Sequence, residues 1–229
     1  MNVSRNWHDE SNMLELAIFD CDGVLVDSEP VANRILTDAL VEYGLALSHT
    51  EVAQATTGHS MPQVLAWAEG ALGRPLPENF INTTQYQTFQ AFRQELRPIP
   101  GAASVLDTIA AAGVRYCVAS SGDHEKIELT LGLTGLLPQL EGRIFSAADV
   151  VNGKPAPDLF LQAAKSMNVD SSRCVVIEDS LPGVVAGLEA GMKVYGYAAG
   201  SEDRQQSLAD AGALVFDHLQ DLPCLLGLA

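Results

Sequence analysis

The sequence predicts an α/β protein: a parallel sheet with helices on both faces, and a small all-helical domain inserted after the first strand. Three observations lead there. From residue 98 onward, short apolar runs of strand character alternate with segments of helical spacing, as in a parallel sheet covered on both sides. Between residues 30 and 96 the apolar spacing is helical throughout and offers no strand. The first apolar run, Leu16-Ala17-Ile18-Phe19, stops abruptly at Asp20-Cys21-Asp22-Gly23, where a strand would leave its sheet through a tight turn.

Taken in order, residues 1–13 have no apolar period and read as an N-terminal extension. After the opening strand, Pro30 starts and Gly44 ends a helix, the usual placement of those two residues. Ser48 caps a second helix over 49–56, with Glu51 in capping-box register. Residues 57–60 form a loop, a third helix runs from 61 or 62 to about 71, and Gly73-Arg74-Pro75-Leu76-Pro77 breaks it. A fourth helix covers about 78–96. The pattern then changes: helix 102–112, strand 114–119, helix 124–131, strand 143–146, helix 157–167, strand 174–177, helix 184–190, and strands 193–197 and 214–216. Residues 14–29 and 97–229 make the α/β core and 30–96 the helical insert, with hinges near 28–30 and 97–100.

At 229 residues the chain is long enough for one sizeable domain and a smaller one. Its 29 acidic residues against 13 basic ones, a formal charge of −16, exclude nucleic acid or an anionic membrane as the main partner, since both need clustered Lys and Arg. A small anion held by a local Lys and a metal is compatible with that charge. Cys21, Cys117, Cys174 and Cys224 show no CxxC spacing and read as reduced thiols rather than a disulfide framework. Residues 1–12 lack the apolar stretch of a signal peptide, and no run reaches the roughly 20 apolar residues of a membrane span. The expectation is a cytoplasmic monomer.

A parallel sheet gathers its strand ends at one edge, where open α/β sheets bind ligands. Asp20 and Asp22 follow the first strand; alone, they could simply solvate a loop. Ser120, Ser121 and Gly122 follow the second, a combination that binds anions through a hydroxyl and backbone N–H groups, or merely caps a helix. Lys154 lies between Gly153 and Pro155 on constrained backbone, suited to fixing a cation though equally at home on a surface loop. Glu178-Asp179-Ser180 ends a further strand with a second carboxylate pair. Carboxylates clustered from two strand ends repel one another and raise one another's pKa values, so they call for a bound cation or partial protonation; magnesium takes few carboxylates and leaves positions for phosphate and water.

Together, Asp20-Cys21-Asp22-Gly23-Val24-Leu25-Val26-Asp27-Ser28, the Ser120 strand end, Lys154-Pro155-Ala156-Pro157-Asp158 and Glu178-Asp179-Ser180 resemble the four motifs of the haloacid dehalogenase-like hydrolases over about residues 14–220. The helical insert is similar to that superfamily's C1 cap. The branch it resembles contains β-phosphoglucomutase, phosphoglycolate phosphatase and small sugar-phosphate phosphatases. The resemblance implies a Rossmann-like core and an Mg²⁺-dependent phosphatase of a small phosphorylated metabolite, a sugar or sugar-acid phosphate. By position it implies Asp20 as nucleophile, Asp22 as general acid and base, and Ser120, Ser121 and Lys154 as the phosphate grip. Asp20, Asp22 (through its carbonyl), Glu178 and Asp179 would form the metal site. Residues 57–63 match the cap's substrate loop, which nominates His59, Ser60 and Gln63, with Arg34 a further candidate for a substrate carboxylate. Met61 replaces the arginine with which the mutase grips a second phosphate, and Ala32 replaces its first-helix histidine; both departures argue against a mutase. An idle metabolite-binding protein on the same fold is the alternative outside catalysis, and the intact motif residues argue against it.

Overall fold

A computed structural model of the chain describes residues 13–56 and 61–228. Six strands form one sheet: β1 (Leu16–Phe19), β2 (Arg115–Ser120), β3 (Ile144–Ser146), β4 (Cys174–Glu178), β5 (Lys193–Tyr197) and β6 (Leu214–Phe216). Their order is β3-β2-β1-β4-β5-β6 and every pairing is parallel. The four residues of β1 are entirely buried, as a central strand covered on both faces requires.

Side-chain alternation along the strands divides the core into two layers. Ala17, Phe19, Tyr116, Val118, Val175 and Ile177 face one layer, while Leu16, Ile18, Cys117, Ala119, Cys174 and Val176 face the other. The first is closed by α5 (Ala102–Ala111), α6 (His124–Leu133), α7 (Leu137–Leu140) and α11 (Leu222–Leu225), through residues such as Leu106, Ile109, Leu131 and Leu222. The second is closed by α8 (Asp158–Ser166), α9 (Leu181–Glu189) and α10 (Glu202–Asp210), through Phe160, Ala163, Val184 and Leu208. Each large apolar side chain so buried contributes about 1.5–3 kcal/mol, so the register of β1 is strongly specified: a slip of one residue would exchange its two faces.

The strands lie within two residues of the spans expected from sequence. The helices differ more. Short α7 and α11 and the polar α10 had no expected counterpart; α10 is strongly polar and buries only Leu208. Helix α9 begins at Leu181 rather than 184, because the Ser180 hydroxyl caps it by accepting from the Gly183 N–H at 3.2 Å.

The chain divides into two compact units, Asp27–Arg97 and the segments on either side of it. The inner unit holds α1 (Glu29–Glu42), α2 (His49–Thr56), α3 (Met61–Leu72) and α4 (Phe80–Glu95). Leu36, Leu40, Val52, Val64, Ala68 and Phe80 form its core. The capping box at α2 is made: the Glu51 carboxylate accepts from the Ser48 N–H and hydroxyl at 2.8 and 2.7 Å.

Candidate active site

Two turns at neighbouring strand ends interlock. Beyond β1 the Asp20 N–H donates to the Ile177 carbonyl at 2.9 Å, holding Asp20 beside β4. The chain then doubles back, with the Leu25 and Val26 N–H groups donating to the Cys21 carbonyl at 2.9 and 3.0 Å. Gly23 makes this turn possible twice over: its φ is +78°, and a Cβ there would stand 2.1 Å from Asp179 Oδ2. At the end of β4, Glu178 Oε2 accepts from the Asp179 and Ser180 N–H groups, both at 3.0 Å, and from the Ser180 hydroxyl at 2.9 Å. A Cβ at Gly183 would lie 1.9 Å from the Glu178 carboxyl carbon, so α9 can start this close to the turn only with glycine there.

Lys154 joins the two turns. Its ammonium donates to Asp20 Oδ1 at 2.9 Å and Glu178 Oε1 at 2.5 Å, and its side chain is only 3% exposed. It also sits 5.0 Å from the centre of the Phe160 ring. Burial opposes the Lys154 charge, but the Asp20 and Glu178 carboxylates outweigh it and raise the pKa well above the ordinary lysine range. Asp20 moves the other way from a normal ion-paired carboxylate: burial raises its pKa to about 7, Lys154 offsets part of that, and Glu178 and Asp22 add to it. The two shifts are compatible because Lys154 is shared, leaving Asp20 only part of one positive charge.

Asp20, Glu178 and Asp179 are all buried, and each offers a carboxylate oxygen within 4.8 Å of the others. Hard oxygen donors at this spacing fit a divalent cation. Glu178 is already engaged on both oxygens, by Lys154 on one and the turn on the other, so it orders the site as well as charging it.

Ser120 is buried at the end of β2, where Val118 pairs with Phe19 and so sets this strand end beside that of β1. Its hydroxyl accepts from the Gly122 N–H at 3.2 Å, and Ser121 is exposed in the same turn. The Ser146 hydroxyl donates to the Gly122 carbonyl at 2.6 Å, tying the turn to β3. Cys21, between the two aspartates, is buried; burial pushes its thiol pKa well up, making it an inert packing residue.

Two cationic residues join this group that the strand-end reasoning did not single out. Lys126, in the first turn of α6, donates to Asp22 Oδ2 at 2.8 Å. Arg204, in the first turn of α10, donates to Asp179 Oδ2 at 3.1 Å. Lys126 was legible as a cation in the first turn after the Ser120 motif. Arg204 was not, since its helix is strongly polar and buries only Leu208. Of the residues nominated in the insert, Arg34 donates to both Glu95 carboxylate oxygens at 2.8 Å and so holds α1 to α4. Gln63 lies in the first turn of α3, and His59 and Ser60 lie outside the described residues.

Residues 14–191 match the haloacid dehalogenase-like hydrolase family. The chain belongs to that family. It is 30% identical over 211 residues to 6-phosphogluconate phosphatase of Escherichia coli K12, covering 92% of this chain and 93% of that protein. It is 31% identical over 183 residues to hexitol phosphatase A of the same organism, covering 77% and 80%. Among solved structures, a haloacid dehalogenase-like protein from Agrobacterium tumefaciens C58 superposes with a TM-score of 0.82 at 31% identity, covering 93% of this chain and 98% of that one. A family hydrolase from Deinococcus radiodurans R1, solved with bound phosphate and sodium, gives 0.79 at 32% identity, covering 95% and 98%. Among the described residues no helix is long and apolar enough to cross a membrane.

Proposed function

We propose that this hydrolase is a magnesium-dependent phosphatase of small phosphorylated carbohydrates, working through an aspartyl phosphate on Asp20. The observation that carries the reading is the single ammonium of Lys154 shared between Asp20 and Glu178, beside Asp179, at the edge where β1 and β4 end. Phosphoryl transfer needs positioning and charge neutralisation more than elaborate covalent chemistry, and this group supplies both. The named activities of the Escherichia coli relatives favour a sugar or sugar-acid phosphate.

In this reading Asp20 attacks phosphorus while Ser120, the Ser121 N–H and Lys154 hold the phosphoryl oxygens. Asp22 gives a proton to the departing oxygen and later takes one from the hydrolytic water. Asp20 and Asp179, with Glu178 beside them and the Asp22 carbonyl, would hold the cation. When bound, it supplies the positive charge that lets a carboxylate approach a phosphate dianion. The helical unit 27–97 serves as the cap that selects the substrate, with the segment around residues 57–63 as the part to vary.

The test is a panel of phosphorylated metabolites scored by free phosphate in Mg²⁺ and in EDTA. Turnover of a sugar or sugar-acid phosphate is expected, with loss in EDTA and in Asp20→Asn. Full activity of Asp20→Asn would remove it as nucleophile. Isomerisation of a hexose 1-phosphate without phosphate release would make the chain a mutase instead.

A further inference from the structure

We propose that Lys126 is a positioning residue for Asp22, holding the proton-donating carboxylate against the departing oxygen. The inference rests on the proton-transfer role proposed above for Asp22 and adds a residue that none of the four motifs contains. The Lys126 ammonium donates to Asp22 Oδ2 at 2.8 Å across 104 residues of sequence. Both side chains are about three-quarters buried, 28% and 23% exposed, so water and salt screen this pair less than a surface pair.

The placement of Lys126 is itself built in. Asp123 caps α6 by accepting from the Lys126 N–H at 2.8 Å, which fixes the backbone of that residue in the first turn. From there the side chain runs across Gly122: a Cβ at Gly122 would lie 3.3 Å from Lys126 Cδ and 3.6 Å from Ser120 Oγ. The stem therefore passes over Gly122, in the turn that follows Ser120, and ends on the carboxylate assigned to the leaving group. One lysine links the two halves of the reaction centre.

The chemistry gives that link a purpose. As Asp20 bonds to phosphorus, the bond to the departing oxygen breaks and its electron pair goes to that oxygen, which takes the proton from Asp22. Asp22 is left as a carboxylate facing the Lys126 ammonium. Because one oxygen of Asp22 is bound by Lys126, the plane of the carboxyl group is set, and a fixed donor geometry is what proton transfer needs. The contact also grows stronger as negative charge appears on Asp22, so it favours the transition state over the ground state.

The experiment compares kcat/KM for two aryl phosphates in the Mg²⁺-loaded parent enzyme and in Lys126→Met, Lys126→Arg and Asp22→Asn. Phenyl phosphate expels a phenol resembling a tyrosine side chain, with a pKa of about 10, and needs the proton. 2,4-Dinitrophenyl phosphate expels a stable phenolate and does not. Lys126→Met is expected to lose at least about tenfold more on phenyl phosphate than on the dinitrophenyl ester, and Lys126→Arg to restore most of the difference. The ratio of the two values does not depend on how much of a variant is folded. A ratio unchanged in Lys126→Met but changed in Asp22→Asn would overturn the role of Lys126 alone. A ratio unchanged in Asp22→Asn would overturn Asp22 as proton donor, and the proposal with it.

Discussion

Lys154 shows how much one residue can carry. Its ammonium is the buried positive charge that Asp20 and Glu178 share, and no surface lysine could replace it without losing the 2.9 and 2.5 Å contacts. Lys154→Met keeps the bulk of the stem beside Phe160 and removes only the charge. The expected result is a fall in kcat/KM of about 10²–10³-fold, the usual size for one preorganised electrostatic contact, with the protein still folded by circular dichroism. A loss below tenfold would contradict its proposed place in the phosphate grip. At this scale much was legible in sequence: Asp20, Ser120, Lys154, Glu178 and Asp179 were each nominated as strand-end residues, and the structure sets them at one sheet edge. Arg34 shows the limit, because nothing in its local sequence announces that Glu95, 61 residues away, takes up its guanidinium.

The elements matter through how closely their ends approach. The turn after β1 and the turn after β4 meet at Gly23, whose absent side chain leaves room for the Asp179 carboxylate. Gly23→Ala adds a methyl 2.1 Å from Asp179 Oδ2 and forces alanine to a φ of +78°. The two effects act together, so the variant is expected to lose about 1–3 kcal/mol of stability and at least about tenfold in activity. Denaturant titration alongside a phosphate-release assay checks both, and a variant indistinguishable from the parent would mean that the two turns can separate. Strand boundaries were readable because strands buried on both faces read as continuous apolar runs that stop at turn residues. Helix α10 was not, since a helix that buries one leucine is specified by its cap and its neighbours rather than by its own pattern.

For the whole molecule, the carboxylate cluster ties folding to pH and, on the proposed metal site, to a divalent cation. The Asp20 pKa is about 7 in the fold against 3.8 as an ordinary side chain, so between those values the folded state binds more protons than the unfolded one. Stability contributed by this group is therefore present below about pH 4, falls as pH rises through the folded pKa, and is lost above about pH 7. A divalent cation at the proposed site would oppose this trend, because it competes with the proton for the same carboxylate. Thermal melts with Mg²⁺ and with EDTA are expected to differ little at pH 5 and clearly at pH 8. In Asp20→Asn the difference between the two pH values should shrink, and an equal Mg²⁺ effect at both in the parent would count against Asp20 as a ligand.

The sequence by itself determined the parallel α/β core, the helical insert and the strand-end residues, because burial period and turn chemistry are local and each strand end carries its own signal. Only the tertiary structure decided who meets whom: that Lys154 is shared by two carboxylates, that Lys126 reaches Asp22 across 104 positions, that Arg204 touches Asp179, and that Arg34 is taken by Glu95. Such pairings depend on side chains from distant elements arriving at one point. The cost of leaving a buried charge unmatched selects them, and that cost appears only once the sheet has brought the strand ends together.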